Sequence, residues 1–414
     1  MAARPKGLLS QYDDVWLLDG VRTPFADYNT VLSLVSPIDL GIKVAREVFH
    51  RTGVSPADVD TVIAGSMAQA SFDAYMLPRH IGLYSGVPIE VPSHLVQRVC
   101  GTGIEVILQA ADLIKLGKAN LALAVGTESM SRNPIAAYTH RGGFRMGQVE
   151  FKDFLWEALL DTCCNVTMGG TAENLAKRHK ISREDVDRFA ADSFARALSA
   201  QKSCFLSGEI VPVVNATFKC DEYNPRAIRL PRALESFRDH IRHSPVEALA
   251  KIRPAFGGVQ TGGNSSGVVD GAAATLVGSG ALARAQNKKP LARVIAGAAV
   301  GVPPEVMRIG PVSAIGTLLD FSGLRLDQID RFEINEAFGA QVLVCERELG
   351  LDHAKLNVNG GAIAIGHPLG ATGVRLAVTL ARELNRSGGR YGIASACIGG
   401  GQGIALLIEN APAA

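Results

Sequence analysis

Four short stretches of this 414-residue chain hold residues suited to nucleophilic and proton-transfer chemistry. Cys100 lies in "VQRVCGTGIEV", just before Ile104, Ile107, Leu108, Ala111 and Ile114, whose spacing near 3.6 predicts a helix beginning at Gly103. His367 lies in "NVNGGAIAIGHPLGATG", before a second helical pattern, and Asn335 with Glu336 ends the apolar run "FEIN". Cys397 follows a strand-like run in "ASACIGGGQG" and precedes glycines 399, 400, 401 and 403. A cysteine attacks as the thiolate, and a helix N-terminus beside an imidazole is an arrangement that lowers a thiol pKa to about 3.5–7.5. A glycine run lets a backbone turn so that its N–H groups face a ligand, as an oxyanion hole requires. The run lacks the Lys-Ser/Thr of a phosphate loop and leads into a strand, which argues against nucleotide binding there. Taken singly, each feature also has a plain structural reading: a buried thiol as core, a histidine as a satisfied internal group, an asparagine as a turn former.

What could bring these residues together is an internal repeat. "ADVDTVIAG" resembles "DQIDRFEIN" with Asp330 set on Asp60, an offset of 270 (330 less 60), and the same offset carries the Gly103 helix onto "GATGVRLAVTLARELN" from Gly373. "DGAAATLVGS" resembles "GQGIALLIEN" with Gly403 set on Gly271, an offset of only 132 (403 less 271). The shrinkage implies an insertion of 138 residues (270 less 132) in the first half, between Gly126 and Asn264. The expected fold is α/β, with two similar βαβ-rich halves containing strands such as Leu121–Val125 and Tyr391–Ser395, plus a mainly helical insert. In that insert Ser182 and Asp185 form a capping box. Such a pair of halves directs both helix starts to one seam, with His367 near the level of Cys100 and Asn335 as the counterpart of Gly65.

Composition narrows the class. The chain is 47% hydrophobic with 44 glycines, and 42 basic against 40 acidic residues leave a net charge of +2, which gives no support for nucleic-acid or acidic-membrane binding. Seven cysteines without a CxxC pair point to free thiols in a reducing compartment, so the expected location is cytoplasmic. No secretory signal, membrane span or peroxisomal terminus is read. Adjacent Cys163 and Cys164 are read as packing or surface thiols, and His240 with His243 as a solvated helix rather than a metal site.

Together, "VCGTG", "NEAF", "GHPLGATG" and "CIGGGQG" resemble the four signature motifs of the thiolases, in order, with "MGGTAENLA" from Met168 and "GGNSSG" from Gly262 similar to that family's coenzyme A motifs. The resemblance runs from Val15 to Glu409. It implies a layered α-β-α-β-α fold divided as residues 1–127 with 255–285, an inserted loop domain at 128–254 that binds CoA, and a second half at 286–414. It implies an acyltransferase that interconverts acyl-CoA plus acetyl-CoA with 3-oxoacyl-CoA plus CoA, as in fatty-acid metabolism. By the same resemblance Cys100 is the acylated nucleophile, activated by His367, and Cys397 moves the α-proton. One oxyanion hole falls to His367 with a water on Asn335, the other to the N–H groups of Cys100 and Gly399. Ser266, Met168, Ala337 and Phe338 would line the CoA channel, and the glycines after Cys100 would leave room for the acyl thioester. Thr167 stands where many relatives have histidine. No tightly bound cofactor and no metal are expected, the partners being CoA thioesters and further copies of the chain in a homodimer or homotetramer. Two alternatives are a decarboxylating ketosynthase-like enzyme, against which Cys397 and Asn335 argue, and a non-catalytic acyl-CoA-binding subunit, which would predict a broken motif.

Overall fold

Runs rich in small and apolar residues, such as "LALAVGTE" and "YGIASACI", become strands covered on both faces. The computed structural model describes residues 7–68, 73–138, 140–231, 236–237, 241–285 and 289–411. The first half contributes β1 (Leu8–Arg22), β2 (Thr61–Gly65), β3 (Ser93–Val96), β4 (Leu121–Glu128) and β5 (Val269–Ser279), and the second β6 (Ala292–Gly301), β7 (Arg331–Ile334), β8 (Tyr391–Ile398) and β9 (Gln402–Asn410). Their order is β7-β8-β9-β6-β1-β5-β4-β2-β3. Thus β1-β5-β4-β2 mirrors β6-β9-β8-β7 about an antiparallel β1–β6 pair whose register shifts between Gln11 and Val15. Such irregularities bend a sheet.

The repeat is visible in single hydrogen bonds. Asp60 Oδ2 accepts from the N–H groups of Asn120 (2.6 Å) and Leu121 (3.0 Å), and Asp330 Oδ2 accepts from those of Arg390 (2.7 Å) and Tyr391 (3.0 Å), at the predicted offset. One correction applies to the third match. Leu121 pairs with Gly278 and Tyr391 with Glu409, so that offset is 131 (409 less 278), one less than the glycines indicated.

Helices α1 (Pro37–Thr52), α2 (Leu77–Tyr84), α3 (Thr102–Lys115), α4 (Met168–Arg178), α5 (Arg183–Lys202), α6 (Gly310–Ser322), α7 (Gly339–Leu349) and α8 (Leu369–Ser387) complete the layers. Ile107 of α3 and Val374 of α8 share one core with Ala124 and Val277 of the first half and Ala394 and Ile408 of the second, so this helix pair is sandwiched between sheets. Val44 and Val48 of α1 cover the outer face of β4, and Ile315 and Leu318 of α6 the outer face of β9. The result is the expected α-β-α-β-α stack. The α3–α8 crossing is close enough to require glycine: a Cβ on Gly103 would lie 2.6 Å from the Gly373 nitrogen, and one on Gly373 would lie 2.1 Å from the Ile104 nitrogen. Helix α8 starts three residues earlier than the offset places it, and Glu128 Oε2 accepts from Gly370 N–H at 2.9 Å in this added turn.

Between β4 and β5, α4 and α5 are accompanied, among the described residues, by four small two-stranded pairs, Ile135–Ala136 with Lys152–Asp153 among them. The Ser182–Asp185 capping box is present. His243 is exposed and outside any helix, contrary to expectation. His240, like residues 1–6 and 412–414 at the chain ends, lies outside the described residues. Cys163 is exposed and Cys164 half-buried, both free. Among the described residues no helix is long and apolar enough to cross a membrane.

Replacing Gly103 with alanine should separate the helix pair and lower stability by about 1–3 kcal/mol, as overpacking does. Urea denaturation against wild type measures this, with α3 surface substitutions such as Gln109→Ala as the control.

Candidate active site

The chain reaches Cys100 through a strained turn. Val99 has φ 44°, a left-handed conformation that a β-branched residue rarely adopts and that costs on the order of 1–3 kcal/mol. The turn is held by Thr102, whose hydroxyl donates to Val99 O (2.6 Å) and accepts from Arg98 N–H (2.9 Å), and by the Arg98–Glu105 ion pair at 2.7 Å. Cys100 thereby sits at the start of α3, only 5% exposed. The following glycines do not make room for an acyl group. A Cβ on Gly101 would come within 2.5 Å of Ile398 Cδ1, and Gly103 faces Gly373, so both serve close packing.

The expected acidic thiol is not present in the free protein. Burial pushes the Cys100 thiol up to about 12, and neighbouring Cys397 adds to the rise. Arg308 and the backbone N–H groups of Gly399 and of Cys100 itself act in the opposite direction. Both N–H groups are thus close enough to the sulfur to favour an anion on it or on an attached group. Gly399 enters the β8–β9 turn, completed by Gly400 (φ 81°) and Gly401 (φ 84°) in the left-handed region.

His367 precedes α8 and is 5% exposed. The Thr372 hydroxyl gives its proton to Pro368 O (3.1 Å), so it accepts from His367 Nδ1–H at 2.6 Å. This network assigns the bare lone pair to Nε2, which Asn335 Nδ2 approaches at 3.2 Å. Burial, then the cations Arg308 and Arg375, lower the imidazole to about 3. Asn335 follows β7, is fully buried, and has its Oδ1 without a hydrogen-bond partner. Next to it Glu336 anchors the loop by accepting from Ser193 Oγ (2.7 Å), Asn357 Nδ2 (2.9 Å) and Ile363 N–H (3.1 Å).

Cys100 and His367 open onto one cavity of about 230 Å³, together with Met168, Ser266, Ala337 and Phe338. Ser266 is tied to the Asn335 loop, its N–H and its hydroxyl each donating to Ala337 O at 3.1 Å. Thr167 caps α4 through Gly170 N–H (3.1 Å). Cys397, Asn335 and Gly399 are not on the cavity wall but buried directly behind it. Among the wall residues the sequence reading missed are Arg308, Trp156 and Phe256, the last packed edge-on to Phe338 with ring centroids 5.9 Å apart. A lone arginine in the apolar context "EVMRIG" was the available signal for the first. No group of three or more potential metal-ligating side chains occurs among the described residues. A neutral thiol, a neutral imidazole with Nε2 unprotonated and two N–H groups near the sulfur can together accept and release an acyl group.

The family models for the thiolase N-terminal domain and the thiolase C-terminal domain match residues 15–281 and 288–410. The chain is 41% identical over 400 residues to the mitochondrial 3-ketoacyl-CoA thiolase of Bos taurus, covering 96% of this chain and 98% of that one. It is 42% identical over 405 residues to a beta-ketoadipyl-CoA thiolase of Acinetobacter baylyi, covering 95% and 99%. The crystal structure of human mitochondrial 3-ketoacyl-CoA thiolase in complex with CoA superposes with TM-score 0.88 at 39% identity, covering 96% and 98%. That of the Bacillus anthracis acetyl-CoA acetyltransferase gives 0.87 at 38%, covering 96% and 99%. Nothing in these relatives supports the ketosynthase-like or non-catalytic alternatives. Two family models across nearly the whole length, relatives of about the same length and a shared fold place this chain in the thiolase family of acyltransferases.

Proposed function

We propose that the protein exchanges acyl groups between acyl-CoA plus acetyl-CoA and 3-oxoacyl-CoA plus CoA through an acyl-Cys100 intermediate. The observation that carries this reading is that Cys100 and the His367 imidazole line one cavity, with the Gly399 N–H close behind the Cys100 sulfur. With the thiol raised to about 12 and the imidazole lowered to about 3, a free thiolate–imidazolium pair is uphill. Attack is therefore concerted: His367 Nε2 takes the thiol proton as the sulfur bonds to the thioester carbon, and the negative charge goes to the thioester oxygen rather than remaining on sulfur. The N–H groups of Cys100 and Gly399 receive that oxygen. In the second half-reaction Cys397 removes the α-proton of the acetyl unit, and the enolate oxygen is received by a water on the unpartnered Asn335 Oδ1 and by His367 Nε2–H, the imidazole keeping the proton it took from the Cys100 thiol while the first CoA leaves as its thiolate.

The pantetheine arm of CoA runs past Ser266, Met168, Ala337 and Phe338, and the region 128–254 supplies most of the remaining CoA contacts, between a first half at 1–127 with 255–285 and a second at 286–414. No tightly held cofactor takes part. We assign the protein to the cytoplasm as a homodimer or homotetramer. Exposed apolar side chains on the 135–156 segment, including Ile135 (71% exposed), Phe151 (67%) and Trp156 (57%), support assembly, which light scattering of the purified protein measures.

Incubation with acetoacetyl-CoA and CoA should consume the enolate absorbance. Cys100→Ala should abolish this, and full activity in that variant would sink the mechanism. Cys397→Ala should still acquire an acetyl group on Cys100, seen by mass spectrometry, yet fail to exchange acetyl α-protons with heavy water.

Neutral His367 also has a consequence for stability. Between its folded value near 3 and the ordinary 6.5, the unfolded chain binds a proton that the folded chain does not, so this contribution is full above about pH 6.5 and is lost as pH falls. Burial raises the carboxyls of Glu128, Glu333 and Glu336, which has the opposite sign. The difference between wild type and His367→Gln isolates the imidazole. Unfolding free energies measured from pH 7 to pH 4 should fall more steeply for wild type, with the two slopes diverging by up to a few kcal/mol in total.

A further inference from the structure

Arg308 is the largest polar group of the site to which the proposed mechanism gives no part. It precedes α6, is 1% exposed, and its guanidinium borders the cavity that holds Cys100 and His367. Its Nη1 donates to Cys397 Sγ at 3.3 Å, its Nη2 to Met168 O at 3.0 Å and its Nε to Thr171 Oγ1 at 3.2 Å. The face of the guanidinium lies over Phe338, with Cζ 4.3 Å from the ring centroid. Among the described residues no carboxylate forms an ion pair with it. The other buried arginines differ here: Arg22 is paired with Glu209 at 2.6 Å and Arg375 with Glu333 at 3.0 Å. A buried cation without an anion is unfavourable, so its natural partner is a negative charge that arises during the reaction.

We infer that Arg308 is a catalytic residue, the counter-cation that holds Cys397 as a thiolate through the Nη1–Sγ contact and follows the negative charge as it moves between the two sulfurs. The inference rests on the acyl-Cys100 reading given above. In condensation the α C–H bond of acetyl-CoA breaks, its proton forms an S–H bond on Cys397, and the electron pair passes into the enolate. The enolate carbon then bonds to the acyl carbon on Cys100, and the C–S bond breaks with its pair leaving on the Cys100 sulfur. Negative charge thus begins on one sulfur and ends on the other, and thiolysis reverses the path. Arg308 touches the first sulfur and acts electrostatically on the second. Met168 O and Thr171 Oγ1, both on α4, fix the plane of the guanidinium, so the segment that lines the channel also aims the cation.

Arg308→Met, close in length and uncharged, tests this beside Arg308→Lys. Three quantities are read: acetylation of Cys100 by acetyl-CoA, exchange of acetyl α-protons with heavy water across pH, and cleavage of acetoacetyl-CoA. In Arg308→Met, Cys100 should still be acetylated while exchange and cleavage fall about 100-fold, the scale for removing one preorganised charge-stabilising donor. Exchange should then climb with rising pH where wild type is flat, as hydroxide supplies the thiolate that the guanidinium no longer holds. Arg308→Lys should recover part of the loss. Wild-type exchange with an unshifted pH profile in Arg308→Met would overturn the inference. So would a loss that is independent of pH and includes Cys100 acetylation, which would mark a structural role. A KM increase confined to acyl-CoA with a terminal carboxylate, with exchange intact, would make Arg308 a substrate anchor and also overturn it. Failure of the wild-type protein to acetylate at Cys100 or to cleave any 3-oxoacyl-CoA is a separate result that would remove the thiolase mechanism itself.

Discussion

The contact between two glycines in the middle of the molecule is the constraint on which the rest depends. Helices α3 and α8 can touch backbone to backbone only because Gly103 and Gly373 have no Cβ, and this approach sets how far apart the two sheets stand. The same crossing fixes the relative height of the two helix starts. Cys100 precedes one and His367 the other, so a steric condition in the core becomes the spacing of a nucleophile and its base. Glu128 extends this link, because its carboxylate gathers N–H groups from the first half at Met67 and Ala68 and from the second at Gly370.

Electrostatics in the cavity follow from burial rather than from the motifs. Removing water raises the thiol and lowers the imidazole, which keeps both groups uncharged until a substrate arrives. The N–H groups near the sulfur and the guanidinium against Cys397 are then fixed polar features of a largely apolar space. They are oriented in advance by the fold, so little reorganisation is needed when charge develops.

Much of this was legible in the sequence because a duplication writes its own restraints. The Asp60 and Asp330 clamps recur at the predicted separation, and the positions of Cys100, His367 and Asn335 relative to strand ends and helix starts followed from that single number. What stayed hidden depends on contacts between distant parts of the chain. The ligands of Arg308 at Thr171, Met168 and Cys397 lie 137, 140 and 89 residues away in sequence, and no local pattern encodes them. The glycines of "VCGTG" were misread for the same reason, since their neighbours are Ile398 and Gly373. The thiol was misjudged because proximity to a helix start is a local property and desolvation is not. The short strand pairs between β4 and β5 escaped notice because two-residue pairings carry no periodicity.

Val99 has a further meaning for how this molecule has been shaped. A backbone that visits the left-handed region most easily does so at glycine or asparagine, and stability alone would favour either residue at that turn. A β-branched side chain narrows the available torsions on both sides of its own peptide units, so the neighbouring sulfur has fewer directions in which to wander. The molecule thus leaves stability unrealised beside its nucleophile, at a residue whose stiffness limits where Cys100 can point.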